Sequence, residues 1–170
     1  MEAMPRVSRY ATCVIVVATT IGLRSVANAQ APIDVYDLAD YRLTAPVFEQ
    51  FVQASGRIAD ITRRDAAFKF APLFTKDIAL DGDAVAMATA LTARLENHAE
   101  LSAALQEAKL TPREYSKFAI VLVAAHLAHG FLKAGVLQRV PAGAPTNNVE
   151  FVETHEAEVN DVLAELRIRD

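Results

Sequence analysis

Four histidines are the residues of this chain whose type best suits chemistry, and two of them lie in its most apolar stretch. His126 and His129 are three residues apart in a run, Lys117 to Gly135, that is otherwise almost entirely apolar between two lysines. An imidazole is the commonest metal ligand in proteins and a proton carrier near neutral pH. The pair therefore marks the first candidate site.

Helical periodicity adds the other two histidines. An advance of 100° per residue places His155 on the apolar face of the last predicted helix, and His98 on that of an earlier helix if that helix is continuous. A zinc site needs three or four ligands about 2.0–2.2 Å from the ion. The predicted metal ligands are therefore His126, His129, His155 and His98, with zinc, or haem held by two imidazoles, as the cofactor.

The alternative is that the four rings are ordinary core residues. A histidine on an apolar face usually meets a carboxylate, a carbonyl or water, because buried polar atoms need hydrogen-bond partners. The sequence contains neither H-E-x-x-H nor E-x-x-H, so it does not indicate a zinc protease or a carboxylate di-iron bundle. It favours this second interpretation, in which no cofactor is expected.

Nucleophilic and phosphate-binding chemistry has weaker support. No serine lies in a G-x-S-x-G motif, and no glycine-rich phosphate loop is present. The single cysteine, Cys13, precedes the expected cleavage site, so disulfides, thiol catalysis and Cys-ligated metals are not expected in the cleaved chain. The sequence thus favours a non-catalytic binding or scaffolding module over an enzyme.

Residues 1–29 have the pattern of a cleavable signal peptide. A basic start is followed by an eleven-residue apolar run and an A-x-A cleavage site. The run is too short to cross a hydrocarbon core of about 30 Å. We therefore predict a single domain over 30–170 that is periplasmic or secreted and has no membrane span after cleavage. The positions that carry this pattern are Arg6 and Arg9, Cys13 to Leu23, and Ala27-Asn28-Ala29.

The charge balance limits the partners. Residues 1–29 carry three of the 17 basic and one of the 21 acidic residues, which leaves 14 basic and 20 acidic residues and a net charge of −6. An acidic chain without a basic block is not expected to bind nucleic acid or an anionic membrane surface. The expected partner is another protein or a small hydrophobic ligand.

Caps and periodicity predict an all-α domain, a small bundle of four to five helices. Thr44 is placed to cap a helix that runs to about Arg64. A second helix opens at Asp81 or Asp83 and bends near Asn97. The length of the cleaved chain suits one such domain.

The clearest helix start in the chain precedes the apolar stretch. Thr111, Pro112 and Glu114 have the pattern of an N-cap, an N1 proline and a capping-box glutamate, and Gly135 is placed to end the helix. Because the helix is apolar on nearly every side, it must be buried in the bundle or against a second copy. A homodimer through 112–134 is therefore one expected assembly.

Two further segments complete the domain. The last helix is predicted from Asn147 or Asn148 to about Arg167. The connection from Arg63 to Asp83 contains three phenylalanines, which we expect to pack over an end of the bundle because of the apolar area they bury.

The C-terminal half also carries a resemblance. LTPREY opens an alanine-rich helix, and VPAG and NVEFVETHEAEV follow it. Over residues 101–166 these segments resemble a group of uncharacterised small exported bacterial α-helical proteins. The resemblance implies an exported all-α domain, and it brings no activity, cofactor or catalytic residue with it.

Export yields the first testable prediction. Because the A-x-A pattern ends at Ala29, the exported protein should begin at or within a few residues of Gln30. Intact-mass measurement of protein recovered from the periplasm or the medium checks this. A full-length chain retained in the membrane would contradict it.

Overall fold

The computed structural model describes residues 32–64, 83–140 and 145–166. The predicted signal peptide over 1–29 lies outside these residues, as do residues 65–82, which include the three phenylalanines of the connection. The described residues form seven α-helices and no strand, which confirms the predicted all-α class.

The helices are numbered in chain order, and their bounds are α1 Val35–Ala39, α2 Ala45–Arg64, α3 Ala84–Glu96, α4 Ala99–Glu107, α5 Pro112–Lys133, α6 Thr146–Thr154 and α7 Glu156–Leu166. The described residues thus hold more helices than the four to five predicted. A short α1 precedes α2, and the second and last predicted helices are each divided in two.

Both divisions fall at a histidine. α3 ends with Asn97 as its C-cap, and His98 takes an extended conformation (φ −118°, ψ 109°). His98 Nδ1 accepts a hydrogen bond from the Leu101 N–H at 3.4 Å and so caps α4. His155 ends α6 with φ −110° and ψ 24°, and α7 begins at the next residue. The single last helix predicted from the sequence is therefore two helices, because the backbone leaves the helical region at His155.

The predicted start of α5 is confirmed except for one contact. The Thr111 hydroxyl accepts from the Glu114 N–H at 3.1 Å, and Pro112 is the first helical residue. A capping box would turn the Glu114 carboxylate back to the Thr111 N–H. Instead, Glu114 Oε1 accepts from the Tyr41 hydroxyl at 2.5 Å. The side chain expected to cap its own helix thus joins α5 to a distant part of the chain.

Other helix ends follow the sequence signals. Asp83 is the N-cap of α3, where its carboxylate accepts from two backbone N–H groups. α2 begins directly after Thr44 and ends at Arg64 as predicted. Gly135 follows α5 with φ +71°, a left-handed conformation that glycine adopts without the Cβ clash of other residues.

α5 is the central helix. It packs against α3, α6, α1 and α4, while α2 packs against α7 and α4. Its buried residues point in several directions, as expected of a helix with no polar face. They are Tyr115, Ser116, Phe118, Ala119, Ile120, Val121, Leu122, Ala125 and Ala128.

Aromatic rings join α2 to α5 in the core. The Phe51 ring lies 4.8 Å from that of Tyr115 and 4.9 Å from that of Phe118, measured between centroids. Phe48 stacks on Phe118 at 6.2 Å. Such pairs contribute roughly 0.5–1.5 kcal/mol beyond the area they bury, so they help to hold α2 on α5.

By length and composition α5 could cross a membrane. It has 22 residues, and its most apolar window has a mean hydropathy of 1.4. A central helix of a water-exposed bundle has the same composition, and 56% of this window is buried in the protein. The buried share agrees with the predicted role of α5 as the core helix.

The burial of α5 yields a prediction about stability. Leu122 is fully buried, whereas Leu127 on the same helix is 36% exposed. Leu122→Ala should lower the free energy of unfolding by about 2–5 kcal/mol, because it leaves a cavity in the core. Urea denaturation measures this change.

Leu127→Ala is the matched control, since it removes the same atoms from the same helix where the side chain is partly in water. It should lower the free energy of unfolding by less than about 1.5 kcal/mol. Equal losses in the two variants would mean that α5 is not the core helix.

Candidate functional site

The four histidines lie at three places in the fold. His126 and His129 are half-buried on the C-terminal half of α5, His155 lies between α6 and α7, and His98 lies between α3 and α4. The condition for placing His98 on a core face, a continuous helix, is not met. His98 instead caps a helix with its own ring nitrogen.

His129 faces the start of α7. Its Nε2 lies 3.8 Å from Glu156 Oε2, which is an ion-pair distance if the ring is protonated but too long for a hydrogen bond. Lys133 Nζ donates to both oxygens of the same carboxylate, at 2.6 and 2.9 Å. These hydrogen bonds from Lys133 are the main reason that the pKa of Glu156 lies below its ordinary value.

His155 packs among aromatic rings. Its centroid lies 4.5 Å from that of Phe151 and 5.6 Å from that of Phe48. Its Nδ1 lies 3.4 Å from Glu158 Oε2. The His155 ring therefore packs against the aromatic rings of the core and has a carboxylate beside its Nδ1.

The structure thus associates three of the predicted ligands with separate neighbours: His129 with Glu156, His155 with Glu158, and His98 with the backbone of α4. Across residues 32–64, 83–140 and 145–166, no three histidine, aspartate or glutamate side chains are placed to hold one metal ion. The metal interpretation stays a prediction to be tested by experiment.

A second polar cluster lies at the N-terminal end of α5, where the sequence patterns did not indicate one. Arg113 Nη2 lies 2.6 Å from Asp37 Oδ2, and Lys117 Nζ lies 3.4 Å from Glu114 Oε2. Lys117 Nζ also lies 5.1 Å from the centroid of the Tyr41 ring. Three polar side chains on one face of α5, those of Arg113, Glu114 and Lys117, thus contact the segment that contains α1.

Asn148, on α6, makes two hydrogen bonds to the same segment. Its Oδ1 accepts from the Leu43 N–H at 3.0 Å, and its Nδ2 donates to the Tyr41 carbonyl at 2.9 Å. The side chain is almost fully buried, and both ends of the amide bond to backbone, so its polarity is satisfied. Asn148 was predicted only as a helix start.

The two tyrosines of these contacts are held in the neutral form. Burial and the hydrogen bond to Glu114 raise the pKa of Tyr41 well above its ordinary value. Burial likewise raises the pKa of Tyr115, whose hydroxyl lies 3.0 Å from Ser55 Oγ in the core. A neutral phenol is a hydrogen-bond donor and not a base, so these groups serve as connections between helices.

Only one signal in the sequence could have indicated the polar cluster at the N-terminal end of α5. Asp34 and Asp37 have the spacing of a capping box, and each carboxylate accepts from the other residue's N–H. The pattern could have located α1. The contacts of Tyr41 with Glu114 and with Asn148 span 73 and 107 residues, and no local pattern encodes them.

Comparison with known proteins finds no matching family model, no matching curated protein and no matching solved structure.

The arrangement of the histidines yields a prediction about zinc. Since three ligands do not converge among the described residues, we expect added zinc or a chelator to leave the melting temperature unchanged at neutral pH. A ligand at 100 times its dissociation constant would stabilise the fold by about 2.7 kcal/mol, which thermal unfolding detects easily. A zinc-dependent rise that disappears in both His126→Ala and His129→Ala would contradict the prediction.

Proposed function

We propose that this protein is an exported, non-catalytic helical module that binds another protein, and that its partner is a second copy of the same chain. The observation that carries the proposal is an apolar strip on the water-facing side of α5, called here the open face of α5. Export rests on the sequence pattern of residues 1–29.

The open face lies on the C-terminal half of the helix. Its residues recur at spacings of three and four, so they share one side of α5. Within it Leu127 is 36% exposed and Gly130 is exposed. A central helix that turns apolar residues to water offers a surface for a partner. The open face consists of the exposed residues Ala124, Leu127 and Gly130, with the half-buried residues Val123 and Phe131 at its two ends.

The open face carries no charged residue, so it suits a second copy better than a charged partner. The predicted cleaved chain carries a net charge of −6, so two copies repel each other over most of their surface. Residues 118–132 of α5 contain no lysine, arginine, aspartate or glutamate. Two copies can therefore meet along this helix without placing like charges opposite each other.

The open face is also self-complementary. Counted from Leu127, small residues stand three positions away on each side and larger residues four positions away. In an antiparallel pair centred on Leu127, Gly130 meets Ala124 of the second copy, and Phe131 meets its Val123. Small residues let the two backbones approach closely, and the larger ones pack beside them.

Gly130 supports a close approach at this point. Glycine in a helix interior destabilises it by about 1 kcal/mol relative to alanine. A Cβ added at Gly130 would have nothing within 4 Å, so no packing contact with the residues that the structure describes calls for glycine there. A second helix laid against the open face supplies a reason for it.

The face is small, so the association should be weak. From Val123 to Phe131 it spans about 12 Å along the helix. Stable interfaces bury about 1,200–2,000 Å² in total, which is more than one short strip provides. We expect a dimer with a dissociation constant of roughly 10 μM to 1 mM.

Sedimentation velocity over a wide concentration range tests the proposal. The wild-type protein should pass from monomer to dimer as its concentration rises. Leu127→Glu should keep it monomeric, because it places a charge of the same sign from each copy at the centre of the contact. Both proteins should give the same helical circular dichroism.

Val52→Glu is the matched control. Val52 is 37% exposed on α2, so the substitution adds the same charge at a similar depth away from the open face. It should leave the dimer intact. A wild-type monomer at every concentration, or equal loss of the dimer in both variants, would overturn the proposal. A lipid or other small apolar molecule retained in place of a second copy would identify a ligand carrier.

A further inference from the structure

The short helix α1 exposes two adjacent apolar side chains. Val35 is 61% exposed and Tyr36 is 73% exposed. Single exposed apolar residues are normal on a protein surface, whereas a contiguous group is a candidate interaction surface. Asp34 and Asp40 flank the helix at its two ends and are exposed as well. These four residues are called here the outer face of α1.

Buried residues of the same segment hold the outer face in place. Ile33, Leu38 and Leu43 lie in the core, and Asn148 hydrogen-bonds to the Leu43 N–H and the Tyr41 carbonyl. The exposed side chains of α1 therefore stand on a fixed backbone. A preformed surface of this kind loses little conformational freedom when a partner binds.

The side of the segment that faces α5 shows what its aspartate and tyrosine residues bind. Asp37 Oδ2 accepts from Arg113 Nη2 at 2.6 Å, and Lys117 Nζ lies 5.1 Å from the centroid of the Tyr41 ring. A carboxylate bonds strongly to a guanidinium group, and the face of an aromatic ring attracts a cation. One aspartate and one tyrosine of the segment thus each contact a cation of α5.

The outer face carries the same residue types without such cations. Among the residues that the structure describes, no lysine or arginine forms an ion pair with Asp34 or Asp40, and none lies over the Tyr36 ring. Asp34 Oδ1 accepts from the Asp37 N–H at 2.8 Å, so its carboxylate has a fixed orientation. The outer face therefore offers carboxylates and an aromatic ring to a cation from outside the chain.

A groove beside the outer face gives such a cation a place to enter. The groove has a volume of about 440 Å³, and three aspartates and two tyrosines line it against one arginine. Its lining is therefore acidic and aromatic. The lining residues are Asp34, Tyr36, Asp37, Asp40, Tyr41 and Arg42.

We propose that the outer face of α1 docks a basic segment of a partner protein, in which an arginine or lysine stands next to an apolar side chain. The cation enters the groove between the carboxylates and lies on the Tyr36 ring, and the apolar side chain covers Val35. This surface is separate from the open face of α5, so it binds its partner whether or not a second copy is bound there.

The position of Val35 favours a protein segment over a small cation. Val35 is 100° around the helix from Tyr36 and does not line the groove. A small amine in the groove leaves Val35 in water, whereas a protein segment covers both sides of α1. The net charge of −6 on the predicted cleaved chain attracts a basic partner and repels a second copy.

An NMR titration of the isotope-labelled protein at low salt tests the surface. The probe is a short synthetic peptide in which arginine alternates with valine. The largest changes in amide chemical shift should fall within residues 34–42. A peptide with glutamate in place of each arginine should not bind, because it meets the carboxylates with like charge.

The double variant Tyr36→Ala with Asp40→Asn should bind the arginine peptide at least about fivefold more weakly than the wild type, since it loses the ring and one carboxylate. Val52→Ala with Glu153→Gln is the matched control. It removes one exposed apolar side chain and one exposed carboxylate elsewhere, so it changes the net charge equally. Its affinity should stay within about twofold of the wild-type value.

Equal weakening in the two double variants would overturn the proposal, because it would mean that only the net charge attracts the peptide. Shift changes centred outside residues 34–42, or no binding, would overturn it as well. Acetylated arginine amide that binds as tightly as the peptide would identify a small-cation site in place of a docking surface. Leu127→Glu should bind the peptide as the wild type does, which separates this proposal from the dimer.

Discussion

The enclosure of α5 is the constraint on which the rest of the structure depends. Fifteen consecutive residues, 118–132, carry no formal charge, so this helix has no polar side to turn to water, and other helices must cover most of it. The helices α3, α6, α1 and α4 pack around it, and α2 adds the aromatic contacts of Phe51. With no cysteine after residue 29, no disulfide can replace this packing.

Because the middle of α5 is apolar, its polar interactions are concentrated at its two ends. Arg113, Glu114 and Lys117 contact the segment 32–43, which contains α1, and Lys133 binds Glu156 at the start of α7. Apolar packing alone tolerates many arrangements of similar volume. The hydrogen bonds at both ends are directional, so they select one position for α5 along its axis and one path for the segment 32–43 across it.

Local signals predicted most helix ends, because a cap is made by residues within one turn. Thr111, Asp83 and Gly135 act in the structure as their types and positions indicate. The divisions at His98 and His155 were missed for the same reason. Periodicity describes which side of a helix is apolar, and it continues unchanged through a residue whose backbone leaves the helix.

The polar cluster at the N-terminal end of α5 could not be predicted, since its partners are far apart in sequence. Glu114 illustrates the difficulty: its type and position indicate a capping box, but Tyr41 competes for the same carboxylate and binds it. The hydrogen bond to the half-buried Tyr41 hydroxyl stabilises the fold more than a hydrogen bond to the exposed Thr111 N–H would. A group removed from water costs more free energy when it has no partner, whereas an exposed N–H can bond to water.

One of the two histidines in the apolar helix, His129, has a carboxylate opposite it. α7 begins with acidic residues in its first turn, where the helix dipole favours negative charge. Of these, Glu156 faces His129 and Glu158 faces His155. The carboxylates that start α7 therefore also give two imidazoles a polar neighbour at the edge of the core. A helix start that is stable for its own local reasons thus places a carboxylate 3.8 Å from the His129 ring, within ion-pair distance but beyond hydrogen-bond distance.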